Sequence, residues 1–568
     1  MTILDDAPAG PTTGPDPGRW IALGIVIMAA FIVVLDTTVL NVAIPTILRD
    51  FHTTLPDLQW VVTGYALTFA TLLIIGGRLG DIYGHRRIFI IGAALFGAGS
   101  LLASVSNGVP QLVLGEAVIE GIGASLMLPT TLAILSVTFQ GRERATAFAA
   151  WGATAGVAAA AGPVIGGFLT TNYSWRWSFR INVIIVPLTI IGAVLFMKKG
   201  RQAGRRPRID VVGAMLIASG MFLLVFGLSE SGAYGWWKPL ASFTAAGRTI
   251  WPSSWPIAIG PVAIMTASAI LTSFVFYERA KERRHGDPLF EFVHLRHRTF
   301  RYGLLTSSVL ALGQLGLSFV LPLFLQDAKH LTAAQNGLWQ LPVGLFIIAG
   351  AQVGGRLIRA FGTTVVVRLG LASYLFGLFL MLHAITLSIT VWKLLPGLAF
   401  YGIGIGFAGA QLTNVVLSEI PKESSGVASG ANTTVRQVGG ALGVAVIGSI
   451  LAVQTVSNAV SRIKSAPLPP GLKAHALAGV HGAGASYVPP PGTNAHDAGV
   501  LQHALQLSVA SGTRIALTFA IAVVAVGLLL SFLIPRVPAD NAEPVGVADR
   551  LEPLEPLDVD PRLRQASA

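Results

Sequence analysis

The chain contains no cysteine. Disulfides, thiolate metal sites and thiol nucleophiles are therefore excluded. Charge is scarce as well: 12% of the 568 residues are Asp, Glu, Lys or Arg, against roughly 25% in soluble globular chains. No Walker-type loop is present. The run "GIGIG" (402–406) lacks the strand and turn that a nucleotide loop needs, so it reads as helix packing. The net charge of +12 is spread over short loops and forms no basic domain, which excludes a nucleic-acid partner.

Apolar sequence is what the chain has in abundance. Hydrophobic residues make up 53% of it, and the mean hydropathy is +0.68. Apolar stretches recur at the ~20-residue length that spans a bilayer as a helix. Lipid leaves helices as the spanning structure for such a chain, so an all-α polytopic membrane protein is expected. Hydropathy gives about fourteen spans. The segments "GHRR" (84–87), "GRER" (141–144), "KKGRQAGRRPR" (198–208), "ERAKERR" (278–284) and "RHRTFR" (296–301) all fall on one side. The positive-inside rule makes that side the cytoplasm, with both termini there. A multi-pass protein of the bacterial plasma (inner) membrane follows.

The domain reading is a disordered tail over 1–19, a six-helix bundle over 20–200, two inserted helices and a linker over 201–290, a second six-helix bundle over 291–536, and a disordered tail over 537–568. Within the second bundle, residues 455–512 read as an irregular external loop. Its histidines, His475, His481, His496 and His503, are too loosely spaced for a metal site and read as solvated. An internal echo supports duplication: "GRLGDIYG" (77–84) and "GRLIRAFG" (355–362) each follow the second span of a set of six. Parallel repeats of six spans are a known transporter layout.

Four polar features interrupt the apolar sequence. Asp36 stands inside "FIVVLDTTVLNVAIP" (31–45), with Thr37, Thr38 and Asn41 close by. An ionised carboxylate at the membrane centre costs roughly 2.5–3.5 kcal/mol on insertion scales, so a cavity-facing, proton-exchanging role is expected, against a purely structural hydrogen bond to a neighbouring span. Glu116 and Glu120 in "GEAVIEG" (115–121) are four apart and share a helix face. "GRLGDIYGHRR" (77–87) combines Gly77, Asp81, Gly84, Arg86 and Arg87 in one loop. "AGPVIGG" (161–167) supplies Gly162, Pro163, Gly166 and Gly167, small residues for close helix packing around a proline bend. Gln314, Gln411, Asn414 and Arg436 are further polar residues within spans. Together with Asp36 and Asn41 they are candidates for a substrate cavity.

These motifs resemble a known family. "GRLGDIYGHRR" is similar to the signature loop of the major facilitator superfamily, with Ile82 in place of the usual basic residue. "AGPVIGG" resembles the motif of its exporters. "LDTTVLNVAIP" (35–45), "WRWSFRINV" (175–183) and "NTTVRQVGGALGVAV" (432–446) resemble segments of its fourteen-span drug:proton antiporters, the EmrB/QacA type. The resemblance implies two six-helix bundles plus two inserted helices, and proton-coupled export of lipophilic, cationic drugs by alternating access. It implies a conformational latch at Gly77 to Arg87 and proton coupling at Asp36, Glu116 and Glu120. The last two are expected to take over from an arginine and a glutamine that the family carries at Ala117 and Glu120. Small lipophilic molecules, protons and membrane lipids are the expected partners. No enzymatic chemistry, cofactor or metal is expected, and a monomer is compatible with the sequence. Export of an endogenous lipid, peptide or siderophore would use the same scaffold. A non-transporting membrane sensor or assembly subunit is the alternative outside transport.

Overall fold

The computed structural model describes residues 18–139, 141–197, 210–245, 248–284, 292–420, 425–483, 487, 489–490 and 492–537. Both expected tails and the basic segment 198–208 fall outside the described residues, apart from Gly18, Arg19 and Val537. The first bundle comprises α1 (Arg19–Phe51), α2 (Leu55–Tyr83) and α3 (His85–Ser104). A composite fourth span follows, made of α4 (Val109–Leu112), a π-helical stretch (Val113–Glu120) and α5 (Gly121–Thr138). The bundle ends with α6 (Gly141–Asn172) and α7 (Trp177–Phe196). An inserted pair comes next, α8 (Val211–Tyr234) and α9 (Ile259–Arg283), joined by the small hairpin β1 (Phe243–Ala245) and β2 (Arg248–Trp251).

The second bundle contains α10 (Arg298–Leu323), α11 (Ala333–Phe361), α12 (Thr363–Ala384), α13 (Val391–Leu417), α14 (Ser425–Ser465), α15 (Pro470–Ala483) and α16 (Ala495–Ser531). Among the described residues, twelve helices are long and apolar enough to cross a membrane. α2 and α6, at 29 and 32 residues, have the length but are not among the twelve. The face carrying Arg19 and His85 is called here the basic face, and the one carrying Phe51 the far face.

The duplication is visible in the backbone. α2 and α11 both open on a threonine capping box, Thr54 with Asp57 and Thr332 with Gln335. Both close on a glycine at positive φ, Gly84 at 94° and Gly362 at 79°, where a side chain would be strained. The repeated octapeptide is thus the last two turns of a helix and the turn that ends it.

The bundles meet in the half of the molecule nearest the far face. Leu40, Ile44 and Leu58 of the first bundle share one apolar core with Phe319, Leu323 and Val444 of the second. Gln326 donates to Val42 O at 2.9 Å, and Gln59 to Val444 O at 2.8 Å. The inserted helix α8 covers the seam between α2 and α14: Val225 packs with Ala66, Leu67, Ala441 and Ala445. Near its end Trp60 of α2 donates to Glu230, and Ser449 of α14 donates to Ser229 O at 3.1 Å. At the other end Asp210 caps α8 through Gly213 N at 2.9 Å and pairs with Lys281 of α9 at 2.8 Å. Burial pushes the Asp210 carboxyl up, but the bonds from Lys281 and Gly213 outweigh it and hold the group below its ordinary range.

Most of the described residues within 455–512 are helical, not irregular. α14 runs on to Ser465, α15 follows, and α16 begins at Ala495. Ala459, Ile463, Val480, Leu501 and Leu505 give this region an apolar core of its own. The proline clusters that suggested a loop sit at its corners: Pro469 and Pro470 lead into α15, and Pro489 and Pro490 precede α16. Proline is tolerated in the first turn of a helix, so these clusters mark helix boundaries.

Candidate functional site

Asp36 is buried. It is 2% exposed and sits inside the first bundle, facing α3, α7 and the π-helical stretch of the fourth span. Glu116 and Glu120 are fully buried beside it. Oxygen atoms from the three carboxyl groups all lie within 4.8 Å of one another. Asn182 of α7 ties the group together. Its Nδ2 donates to Asp36 Oδ1 at 2.7 Å, to Ser100 Oγ at 3.1 Å and to Glu120 Oε1 at 3.2 Å.

The π-helical stretch Val113–Glu120 ends on this cluster. Such bulges are rare and frequent at functional sites. Gly99 and Gly115 allow α3 to approach it closely: a Cβ on Gly99 would lie 2.5 Å from Glu120 N, and one on Gly115 2.8 Å from Ala103 N. That proximity brings Ser100 within reach of the Asn182 amide.

Asp36 Oδ2, both oxygens of Glu116 and Glu120 Oε2 are buried without a hydrogen bond from a described donor. Three ionised carboxylates so placed would repel strongly at low dielectric. A carboxylate offers only acceptors, whereas a carboxylic acid also offers an O–H. The cluster becomes internally satisfied when protons stand between its oxygens, and their loss leaves several buried acceptors orphaned.

The remaining expected residues are distributed as follows. Asn41 is buried with its Oδ1 unpartnered. Thr38 donates to Leu35 O at 2.8 Å and packs on Gly162, so it belongs to the α1–α6 contact. Arg436 lies on the same stripe of α14 as Gly439, Gly440, Gly443 and Ile447, which packs on α10. Gln411 accepts from Asn414 at 2.9 Å on α13. Gln314 is half-buried, and its backbone oxygen faces Tyr401.

In the loop motif, Gly77 does not mediate a close approach, since a Cβ there would meet Pro129 Cβ at an ordinary 3.7 Å. Gly80 does, with His85 Nδ1 at 2.8 Å from its would-be Cβ. Arg86 donates to Ala193 O at 3.1 Å and also to Val194 O. It thereby covers the carbonyl end of α7, where a cation is favoured. Arg87 is exposed. The Asp81 side chain lies outside the described residues.

The glycine–proline motif joins two contacts. Gly162 and Gly166 admit Thr38 and Val39 of α1. Gly167 and the carbonyl of Pro163 meet Ala333 and Gly337 of α11, across the bundle boundary. Overpacking a contact of this kind costs about 1–3 kcal/mol, which moves a two-state equilibrium roughly 5- to 150-fold. Gly167→Leu should therefore force the bundles apart at the far face. A single cysteine introduced as Gln326→Cys, in a chain that has none of its own, should then react faster with an impermeant maleimide. Unchanged labelling would show that this contact does not hold the far face shut.

Asn182 and Ser100 were not expected at the site. Asn182 lies within "WRWSFRINV", so the signal was present but carried no role. The tryptophan and arginine of that motif have one: Trp175 donates to Asp50 at 2.9 Å, and Arg176 pairs with Asp50 at 3.1 Å and reaches Ser106 O at 3.0 Å. This lashes the ends of α1, α3 and α7 together and fixes the depth at which Asn182 meets Asp36. Asp327, Glu230 and Glu278 are further carboxylates within or at the ends of spans that hydropathy did not single out.

Residues 26–444 match the sequence profile of the Major Facilitator Superfamily. A probable actinorhodin transporter of Streptomyces coelicolor is 36% identical over 78% of this chain and 74% of its own. The tetracenomycin C resistance and export protein of Streptomyces glaucescens is 31% identical over 96% and 97%. In fold, the chain is similar to a bacterial homolog of the human lysosomal transporter Spinster. That similarity has a TM-score of 0.57 at 15% identity, covering 92% of this chain and 98% of the other.

Proposed function

Because the chain belongs to the Major Facilitator Superfamily, a family of transporters and not enzymes, we propose that this multi-pass membrane protein is a proton-coupled exporter of small lipophilic molecules. Its relatives that export antibiotics support the direction of transport. The observation that carries the coupling is the buried trio Asp36, Glu116 and Glu120 held by Asn182. Protons entering from outside would neutralise the trio, and their release inside would reset it. The bundles would rock about a midplane cavity.

In this reading the basic face is cytoplasmic, the far face is external, and the contact through Gly167, Gln59 and Gln326 closes the external side. The loop from Gly77 to Arg87 acts as the cytoplasmic latch. Lipid surrounds the bundles and the inserted pair. A cationic cargo was expected on the premise that Asp36 faces the cavity; at 2% exposure Asp36 does not support that premise.

The test is transport in proteoliposomes with an imposed pH gradient. Accumulation of a substrate drug should collapse when a protonophore is added, and adding substrate should move protons the opposite way. Accumulation that survives the protonophore would refute proton coupling.

A further inference from the structure

The hairpin between α8 and α9 turns an apolar surface outward. Trp237 and Leu240 are 74% and 73% exposed, and Trp236, Ile250, Trp255 and Ile257 are exposed as well. The segment that carries them is held in shape. Ala258 N donates to Trp237 O at 2.8 Å, Trp251 Nε1 to Ile257 O at 2.8 Å, and Ser253 N to Ser242 Oγ at 2.9 Å. The rings of Trp251 and Trp255 meet at 4.3 Å between centroids. Phe243 of β1 packs edge-on against Phe226 and Tyr234 of α8, at 5.4 and 5.3 Å. One aromatic side chain thus docks the hairpin on α8 while the tryptophans at 236, 237 and 255 stay exposed. Apolar groups gathered on the outside of an ordered element mark an interaction surface.

The depth of this surface follows from the helices that carry it. Trp60 of α2 bonds Glu230 of α8, so the two helices are level there. From that level α2 extends to Leu55 and α8 to Tyr234, about 8 and 6 Å towards the far face. The hairpin therefore starts flush with the α1–α2 turn. α14 is level with α8 at Ser449 and runs on to Ser465, about 24 Å further, so the cap built on α14, α15 and α16 stands well above the hairpin. A tryptophan-rich surface at the height where spans end suits the membrane–water boundary, which the amphipathic indole ring favours.

Charge singles out the partner. From Gly235 to Ala258 the sequence holds two basic residues, Lys238 and Arg248, and no Asp or Glu. Both are exposed. Long basic side chains beside an apolar surface lay their stems on it and carry the cation to the headgroup level, where anionic lipid attracts it.

We propose that the α8–α9 hairpin is a membrane-interface anchor that seats its exposed tryptophans, Leu240 and Ile257 among lipid headgroups and takes the phosphate of an anionic phospholipid with Lys238 and Arg248. The assignment to the external leaflet rests on the reading of the far face as external; the anchoring itself does not. The anchor fixes the height of α8, which lies along the seam between α2 and α14.

The test uses the purified full chain in nanodiscs, with no gradient and no cargo, so failure of proton coupling leaves it unaffected. Leu240→Cys supplies a single thiol in a chain that has none, and bimane is attached to it. Lipids spin-labelled near the headgroup should quench this label. Aqueous iodide should quench it far less than the same label at Ala474→Cys, an exposed position on α15. Spin-labelled phosphatidylglycerol should quench more strongly than spin-labelled phosphatidylcholine, and inorganic phosphate should not reverse the difference. Lys238→Gln and Arg248→Gln should each lower that lipid preference about fivefold, and together they should remove it. If Leu240→Cys is not monodisperse, Ile250→Cys, also exposed, carries the label. Iodide quenching equal to that at Ala474→Cys would place the hairpin in water, as a surface for a protein partner, and overturn the anchor. Equal quenching by the two lipids, or a preference undiminished in the double variant, would overturn the anionic-lipid site.

Discussion

Asp36→Asn protein should insert and fold, and should move no protons when substrate is added. The substitution preserves shape, and the new amide oxygen can still accept from Asn182, which now holds Asp36 Oδ1 at 2.7 Å. What is lost is titration. Keeping an ionised carboxylate at this depth costs roughly 2.5–3.5 kcal/mol on insertion scales, and an amide in its place removes that cost. The variant should therefore be at least as stable as the parent. Binding should survive because Asp36, at 2% exposure, is buried inside the first bundle. The measurement is substrate-driven proton flux into proteoliposomes carrying a pH-sensitive dye, set beside substrate binding in detergent. Flux at the level of protein-free liposomes with binding retained is the expected result. Normal flux would leave Asp36 as a structural hydrogen-bonding partner of α7.

The two halves of this site differed in how plainly the sequence displayed them. Asp36, Glu116 and Glu120 were legible because a carboxylate in an apolar run is expensive and stands out by composition alone. Their convergence was legible only within the Glu116–Glu120 pair, where helical spacing fixes a common face. That Asp36 joins them depends on how α1 packs against the fourth span, and no local periodicity encodes that contact. Asn182 is a neutral amide in an apolar helix and carries little compositional signal, although it makes three of the site's hydrogen bonds.

The expectation that Asp36 faces a cavity, with Thr37, Thr38 and Asn41 close by, gains no support from the contacts of Thr38. Thr38 returns its hydroxyl to its own helix and fits the notch left by Gly162. A polar residue so satisfied is compatible with a dry contact. In the fold, the "GRL" octapeptides, each closing on glycine, were visible as text. The matching capping boxes at Thr54 and Thr332 were not, because their sequences, "TLPD" and "TAAQ", share only the threonine. The helical segment 455–483 was misread because its proline clusters were taken as loop filling.

Glu116→Leu should give a protein that is no less stable than the parent and does not transport. Glu116 is fully buried, and neither of its oxygens accepts from a described donor. Its neighbours in space are Asp36 and Glu120, which are also acids. Replacing a buried ionic group by an apolar residue of similar volume is often neutral or stabilising by about 1–4 kcal/mol. A structural role for Glu116 predicts the opposite: a lower unfolding temperature with transport intact. Glu120 is a sharper case, because Asn182 donates to it at 3.2 Å. Glu120→Gln would keep an acceptor for that bond and lose only the proton site. Both variants should therefore stop gradient-driven export, and only Glu116→Leu should also raise the unfolding temperature. The comparison is thermal unfolding of the purified proteins beside drug accumulation in energised inside-out vesicles. Full accumulation in both variants would leave Asp36 as the sole coupling group and reduce the fourth span to a scaffold. Loss of accumulation with unchanged or increased stability would show that the first bundle keeps an unfavourable cluster of carboxyls for the protons it can hold.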